Sequence, residues 1–184
     1  ELDGDIIFIK NIDNVVVRKF SEKTNFYKMV LCGYLINVRN KIFSINRSLD
    51  TITNDDESII EILEYCKKSL NISFNTAFFN LSMEEKANTI RNKLLKPIRV
   101  CGMVKNEGEP GGGPFWVKKN GDLSLQIIES ASVNSSNKSQ MNIFGKAEFF
   151  NPVDIVCSVK NNDGMKYDLK KFIDNESFLV SEKS

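Results

Sequence analysis

Asp5-Ile6-Ile7-Phe8-Ile9-Lys10-Asn11-Ile12-Asp13-Asn14 is the stretch that sets the expected fold class. Four apolar residues in a row, Ile6 to Ile9, put hydrophobic side chains on both faces of a strand. That is the pattern of a strand buried on both sides, as in a parallel sheet covered by helices. The strand, roughly 5–10, ends in polar, turn-prone residues. In α/β sheets, ligands bind outside the carboxyl ends of such strands. The same ten residues therefore predict an α/β fold and the rim on which a site would lie. A buried strand needs neighbours, and this one follows only Glu1-Leu2-Asp3-Gly4. The expectation is one partial α/β domain over residues 1–184, truncated at both ends.

Outward from that strand, the period becomes helical. Leu31, Leu35, Val38, Ile42, Ile45 and Leu49 step by fours and threes and form one apolar stripe on a helix over about 25–49. Asp55 or Asp56 can cap a second helix over about 57–70, with Ile59, Leu63, Cys66 and Leu70 inward. Ser82-Met83-Glu84-Glu85 is a capping box, so a third helix starts there and stops before Pro97. Three consecutive helices, about 25–95, read as a helical insertion. A strand-rich part follows over about 97–160. Ile98 to Lys105 is extended, Phe115 to Lys118 and Leu123 to Ala131 form a hairpin about Asn120-Gly121, and Ala147 to Phe150 and Val153 to Val159 are extended again. A polar stretch over 134–140 opens a short helix, and Asn161-Asn162-Asp163-Gly164 is a turn.

Composition removes several function classes. The net charge of +1 in 184 residues gives no electrostatic reason to expect nucleic acid or an anionic membrane as partner. No apolar run approaches the roughly 20 residues that span a bilayer, and no secretory signal pattern is visible. Cys32, Cys66, Cys101 and Cys157 are far apart, each in an apolar stretch, which suits buried thiols in a reducing compartment rather than a zinc knuckle or a disulfide scaffold. A cytoplasmic protein is expected. There is no histidine, so Ser-His and Cys-His nucleophilic chemistry is excluded from this chain. Catalysis here would have to use carboxylates, lysine, backbone amides or an oxygen-bound metal.

Four polar stations are candidates for such chemistry. Asp13, between Ile12 and Asn14 after the first strand, suits a Mg²⁺ ligand, because Mg²⁺ prefers oxygen donors and leaves positions for phosphates; a plain turn accounts for it as well. Gly111-Gly112-Gly113 permits positive φ and close backbone approach, so its free amides can make an anion-binding nest. Glu107 and Glu109 oppose a bare phosphate there unless Lys105 or a metal offsets them, and a simple connector is the alternative. Glu129 shares a face with Leu123, Leu125, Ile127 and Ala131 by strand alternation. A carboxylate on an apolar face is costly unless it is paired or used. Asn151 offers both a donor and an acceptor, and Asp154 is a second candidate metal ligand.

The run Arg99-Val100-Cys101-Gly102-Met103-Val104-Lys105-Asn106-Glu107-Gly108-Glu109-Pro110-Gly111-Gly112-Gly113-Pro114-Phe115-Trp116-Val117 closely resembles the bacterial domain-of-unknown-function family 4301. So do Asp5 to Val15 and Phe150-Asn151-Pro152-Val153-Asp154. A more distant resemblance links the order of stations to the UTP–glucose-1-phosphate uridylyltransferases, which also place an Asn-Ile-Asp-Asn run after an apolar strand, then a Gly-Gly loop, a Glu-bearing strand and a Phe-Asn segment. That resemblance implies a mixed sheet with helices on both faces, a partial nucleotide-diphospho-sugar transferase-like (GT-A-like) fold. It implies Mg²⁺ as cofactor, with a nucleotide and a sugar phosphate as small-molecule partners. Asp13 would sit near the metal and the α-phosphate, with Asn14 and Lys105 on the substrate. Gly111, Gly112 and Gly113 would approach the sugar or nucleotide, Glu129 would accept sugar hydroxyls and Asn151 would orient the sugar phosphate. The match departs at Asp154, where those relatives carry Asn, and after Asn14, where Val15-Val16-Val17 stands. Their triphosphate loop and an important lysine have no counterpart here, so the expectation is the sugar side and one metal ligand of a nucleotidyltransferase-like site. A non-catalytic sugar- or nucleotide-binding protein is the alternative.

Overall fold

The structure is a computed structural model that describes residues 3–12, 15, 17, 19, 21–51, 56–108, 111–119 and 122–175. It is a mixed α/β protein. The first strand, β1 (Ile6–Lys10), leads to the long helix α1 (Ser21–Ser48), then α2 (Asp56–Leu70), α3 (Thr76–Phe79) and α4 (Met83–Leu94). Six short strands follow: β2 (Ile98–Cys101), β3 (Val104–Lys105), β4 (Gly113–Lys119), β5 (Asp122–Ile128), β6 (Phe149–Phe150) and β7 (Asp154–Ser158), with α5 (Lys138–Phe144) between β5 and β6.

The helical part follows the sequence pattern closely. The α1 stripe is buried at Leu35, Val38, Ile42 and Ile45, and Leu49 joins it just past the helix end. Ile59, Ile62 and Cys66 of α2, Phe78 of α3, and Ala87, Ile90 and Leu94 of α4 close around the carboxyl-terminal half of α1 as one cluster. The capping box is present: the Ser82 side chain accepts from the Glu85 N–H, and the Glu85 carboxylate accepts from the Ser82 N–H at 2.9 Å. Asn71, with φ 55, ends α2, and the Ile72 N–H folds back to the Cys66 carbonyl at 2.9 Å. The expected cap at Asp55 lies outside the described residues.

The strands depart from expectation. In place of one mixed sheet, the described residues form three small ones, in the orders β1-β7-β2, β3-β6 and β4-β5, with every pairing among them antiparallel. β7 occupies the middle of the first sheet, so β1 is an edge strand rather than one buried between parallel neighbours. Ile7, Phe8 and Ile9 are 37%, 46% and 46% exposed. A run of apolar residues fixes neither the direction of its neighbours nor their number, and this is where the reading of β1 failed. β1 and β2 both run antiparallel to β7 and therefore point the same way. α1 packs on β7 and β2. Val156, in the middle of β7, is fully buried there.

The hairpin is as expected. Lys119 pairs with Asp122 across a two-residue loop, although Asn120 and Gly121 themselves lie outside the described residues. β5, however, stops at Ile128.

Candidate functional site

The carboxyl ends of β1 and β2 and the amino-terminal turns of α1 enclose a cleft of about 800 Å³. Lys10 closes β1, Gly102 and Met103 follow β2, Asp154 opens β7, and Tyr27 and Lys28 reach in from α1. Among its lining residues, Lys10 and Val15 flank in sequence the two expected stations Asp13 and Asn14. Those two stations lie outside the described residues.

The electrostatics of the cleft are lopsided. Asp154 is the one carboxylate among the described lining residues, and Lys10 Nζ sits 2.9 and 3.1 Å from its two oxygens. Lys10 and Asp154 face each other across the β1–β7 ladder, and both side chains are about one-fifth exposed, so the pair is shielded from bulk water. Lys28 and Lys105 add two more cations. Among the described residues neither has a carboxylate within ion-pair distance, and Lys28 is half-buried. The described lining of the cleft therefore carries more positive than negative charge, which favours an anionic occupant.

Among the described residues no group of three or more cysteines or carboxylates comes together as a metal site. Asp154, read from sequence as a metal ligand, is ion-paired with Lys10, and Asp13, the other candidate ligand, lies outside the described residues.

Glu129 is not on an apolar strand face. It stands beyond the end of β5 as the N-cap of a 3₁₀ turn over Ser130–Ser132, exposed to solvent. The burial cost that made it a candidate is absent, because the strand ends sooner than alternation was carried. The glycine run is not an anion nest either. Gly112 and Gly113 are buried, the positive-φ glycines among the described residues are Gly108 and Gly164, and Gly113 already belongs to β4. The run is glycine because backbones and side chains crowd it. A Cβ on Gly112 would lie 2.4 Å from Ile127 Cγ2 and 3.1 Å from Glu129 Cγ, and one on Gly111 would lie 2.8 Å from Phe150 Cδ2.

Asn151 is 3% exposed, and its polar atoms go to backbone. Its N–H donates to Gly112 O at 2.8 Å, its Nδ2 donates to Gly102 O at 2.6 Å, and its Oδ1 accepts from Val153 N–H at 3.0 Å. Gly112, Glu129 and Asn151 are thus neighbours. Asn151 reaches the cleft through Gly102, whereas Lys105 and Asp154 line it directly. Sequence reasoning missed Lys10, Tyr27 and Lys28. The signal for Lys10 was a cation closing an otherwise apolar strand.

Burial disfavours the thiolate form at three of the cysteines. Burial pushes Cys66 up to about 11 and raises Cys101 and Cys157 above the ordinary thiol range.

A family model described as "Domain of unknown function (DUF4301)" matches residues 1–184. The chain belongs to that family. No curated protein matches this DUF4301 chain, and no solved structure does. Among its described residues no helix is long and apolar enough to cross a membrane.

Proposed function

We propose that the cleft at the ends of β1 and β2 binds a phosphorylated small molecule, a sugar phosphate or a nucleotide. The observation that carries this reading is the half-buried Lys28 beside the Lys10–Asp154 pair, with Lys105 on the same wall and no carboxylate in the described lining left to balance them. A phosphate monoester supplies the missing charge, and lysine binds phosphate as a compact point charge. Asp154 keeps Lys10 Nζ fixed at the cleft wall, so this cation needs no reordering when an anion arrives. Tyr27 offers a ring face or a hydroxyl to the rest of the ligand.

The reaction class we infer is nucleotidyl transfer to a sugar phosphate, in line with the order of stations along the chain. Such a transfer relies on positioning and charge neutralisation, not on a protein nucleophile, which suits a chain without histidine. Lysines can do that work at the phosphate. No step is drawn through magnesium, since Asp154 is committed to Lys10 and Asp13 lies outside the described residues. A binding protein without turnover would use the same cleft in the same way.

Calorimetric titration of the full chain with glucose 1-phosphate, UTP and inorganic phosphate tests this reading, with glucose as the uncharged control. Binding of a phosphate compound, no binding of glucose, and a loss of roughly tenfold or more in Lys28→Met and in Lys105→Met are expected. Absence of binding, or full affinity in both variants, overturns it. Pyrophosphate release from paired NTP and sugar phosphate separates a transferase from a binder.

A further inference from the structure

The segments β2–β3 and β6–β7 are one antiparallel ribbon with a single interruption. Cys101 pairs with Ile155, and Val104 pairs with Phe150. Between those pairs Gly102 and Met103 face Asn151, Pro152, Val153 and Asp154, so one side carries two residues more than the other. Ladder irregularities of this kind recur next to active sites, where they bend a strand and re-aim side chains. Here the interruption makes the cleft wall: Gly102, Met103, Pro152 and Asp154 all line it.

The extra length is folded over the buried Asn151. Its three hydrogen bonds tie the end of β2 at Gly102, the glycine run at Gly112, and Val153. The Gly102 N–H returns to Asp154 O at 2.8 Å. Val153 has φ 58. A β-branched residue in the left-handed region is a strained outlier, and glycine or asparagine ordinarily takes such a position after a proline. Strain of this type persists where the surroundings over-determine it, and it gathers at ligand clamps.

We propose that Asn151 is the positioning residue of the cleft. It holds the Pro152-Val153 bulge in its strained form, and through it sets Asp154, and hence Lys10 Nζ, where the ligand's phosphate is met. This inference rests on the reading of the cleft as a phosphate-compound site. It assigns Asn151 a role through the backbone, not a contact with the ligand.

The test is rescue. Glycine occupies the left-handed region without a clamp, so Val153→Gly should make the Asn151 clasp dispensable. In titrations with glucose 1-phosphate, Asn151→Ala is expected to lose roughly tenfold in affinity, and Asn151→Ala/Val153→Gly to return to within about threefold of the Val153→Gly single variant. Full affinity in Asn151→Ala means a merely structural clasp and overturns the proposal. A loss that the second substitution does not recover means direct ligand contact and overturns it too. If Asn151→Ala does not fold, the double variant is compared with Val153→Gly alone, where equal affinity supports the proposal and a tenfold gap rejects it. A wild type that binds none of the three phosphate probes brings down the cleft reading and this inference together. Wild-type binding with an unrecovered loss brings down the inference alone.

Discussion

The carboxyl-terminal half of α1 with α2–α4 and the sheet built on β7 are two differently made regions. The helices bury eleven apolar side chains in one contiguous cluster. Outside it, the buried apolar side chains among the described residues are Leu35 and Val156. The strands expose Ile7, Phe8, Ile9, Val104, Trp116, Leu123 and Leu125 at 37% or more. Burial of apolar surface is the main favourable term in folding, so stability is concentrated in the helices. The cleft, the bulge and the strained Val153 are all in the thinly covered part. A firm scaffold beside a less secured site is the usual division of labour between packing and binding.

The largest expected effect tests that contrast directly. Ile90 is fully buried in the helical cluster, and Ile90→Ala should cost about 2–5 kcal/mol, the range for truncating a well-packed aliphatic side chain. Phe8→Ala, on a residue 46% exposed, should cost less than half as much. Urea denaturation of both variants measures the gap, and equal losses would dissolve the distinction between the regions.

Gly112→Ala sharpens the comparison from the other side. The thinly covered region is tightly packed at its glycine run, and at Gly112 a Cβ would meet Ile127 and Glu129. Overpacking of that kind costs about 1–3 kcal/mol, so a clear fall in denaturation midpoint is expected. A neutral outcome would show that the hairpin moves freely against β6.

The smallest effect is a pH slope. The Cys66 thiol is raised from 9.0 to about 11 by burial, so the folded state holds its proton more tightly than the unfolded chain. That contribution is complete below about pH 9 and is lost as pH rises towards and through about 11. Tyr65 and Tyr167, also raised by burial, act in the same direction. Urea midpoints should decline across this window, and Cys66→Ala, less stable at neutral pH, should decline less steeply. An identical decline in both proteins would place the alkaline loss away from Cys66.

The helical region was legible because its signals are local and redundant. The α1 stripe steps at the helical period, and the capping box at Ser82 and Glu85 needs only four residues to be read. The hairpin register followed from the Asn-Gly pair between its strands for the same reason. The sheet was less legible because its decisive partner is remote: nothing in Ile6 to Ile9 says that β7 will be their neighbour. The site was half legible. Position along the chain pointed to Lys105, Asn151 and Asp154, but not to what each does. A glycine run made for close packing has the same composition as one made for positive φ, and Glu129 looked buried because alternation was carried beyond Ile128 and its face, exposed at Leu123 and Leu125, was read as core. Lys28 carried no signal, since a cation off a helix stripe ordinarily belongs to solvent.

The strand order β1-β7-β2 has a consequence for assembly in time. Lys10 and Asp154 are separated by 144 positions, and the central strand is the last of the seven to be synthesised. The sheet cannot close until nearly the whole chain is available, while α1–α4 can find one another much earlier through near-neighbour contacts. Pulse-labelling hydrogen exchange during refolding should therefore protect amides of α2 and α4 before those of residues 154–158, so that the cleft beside β7 forms after the helices.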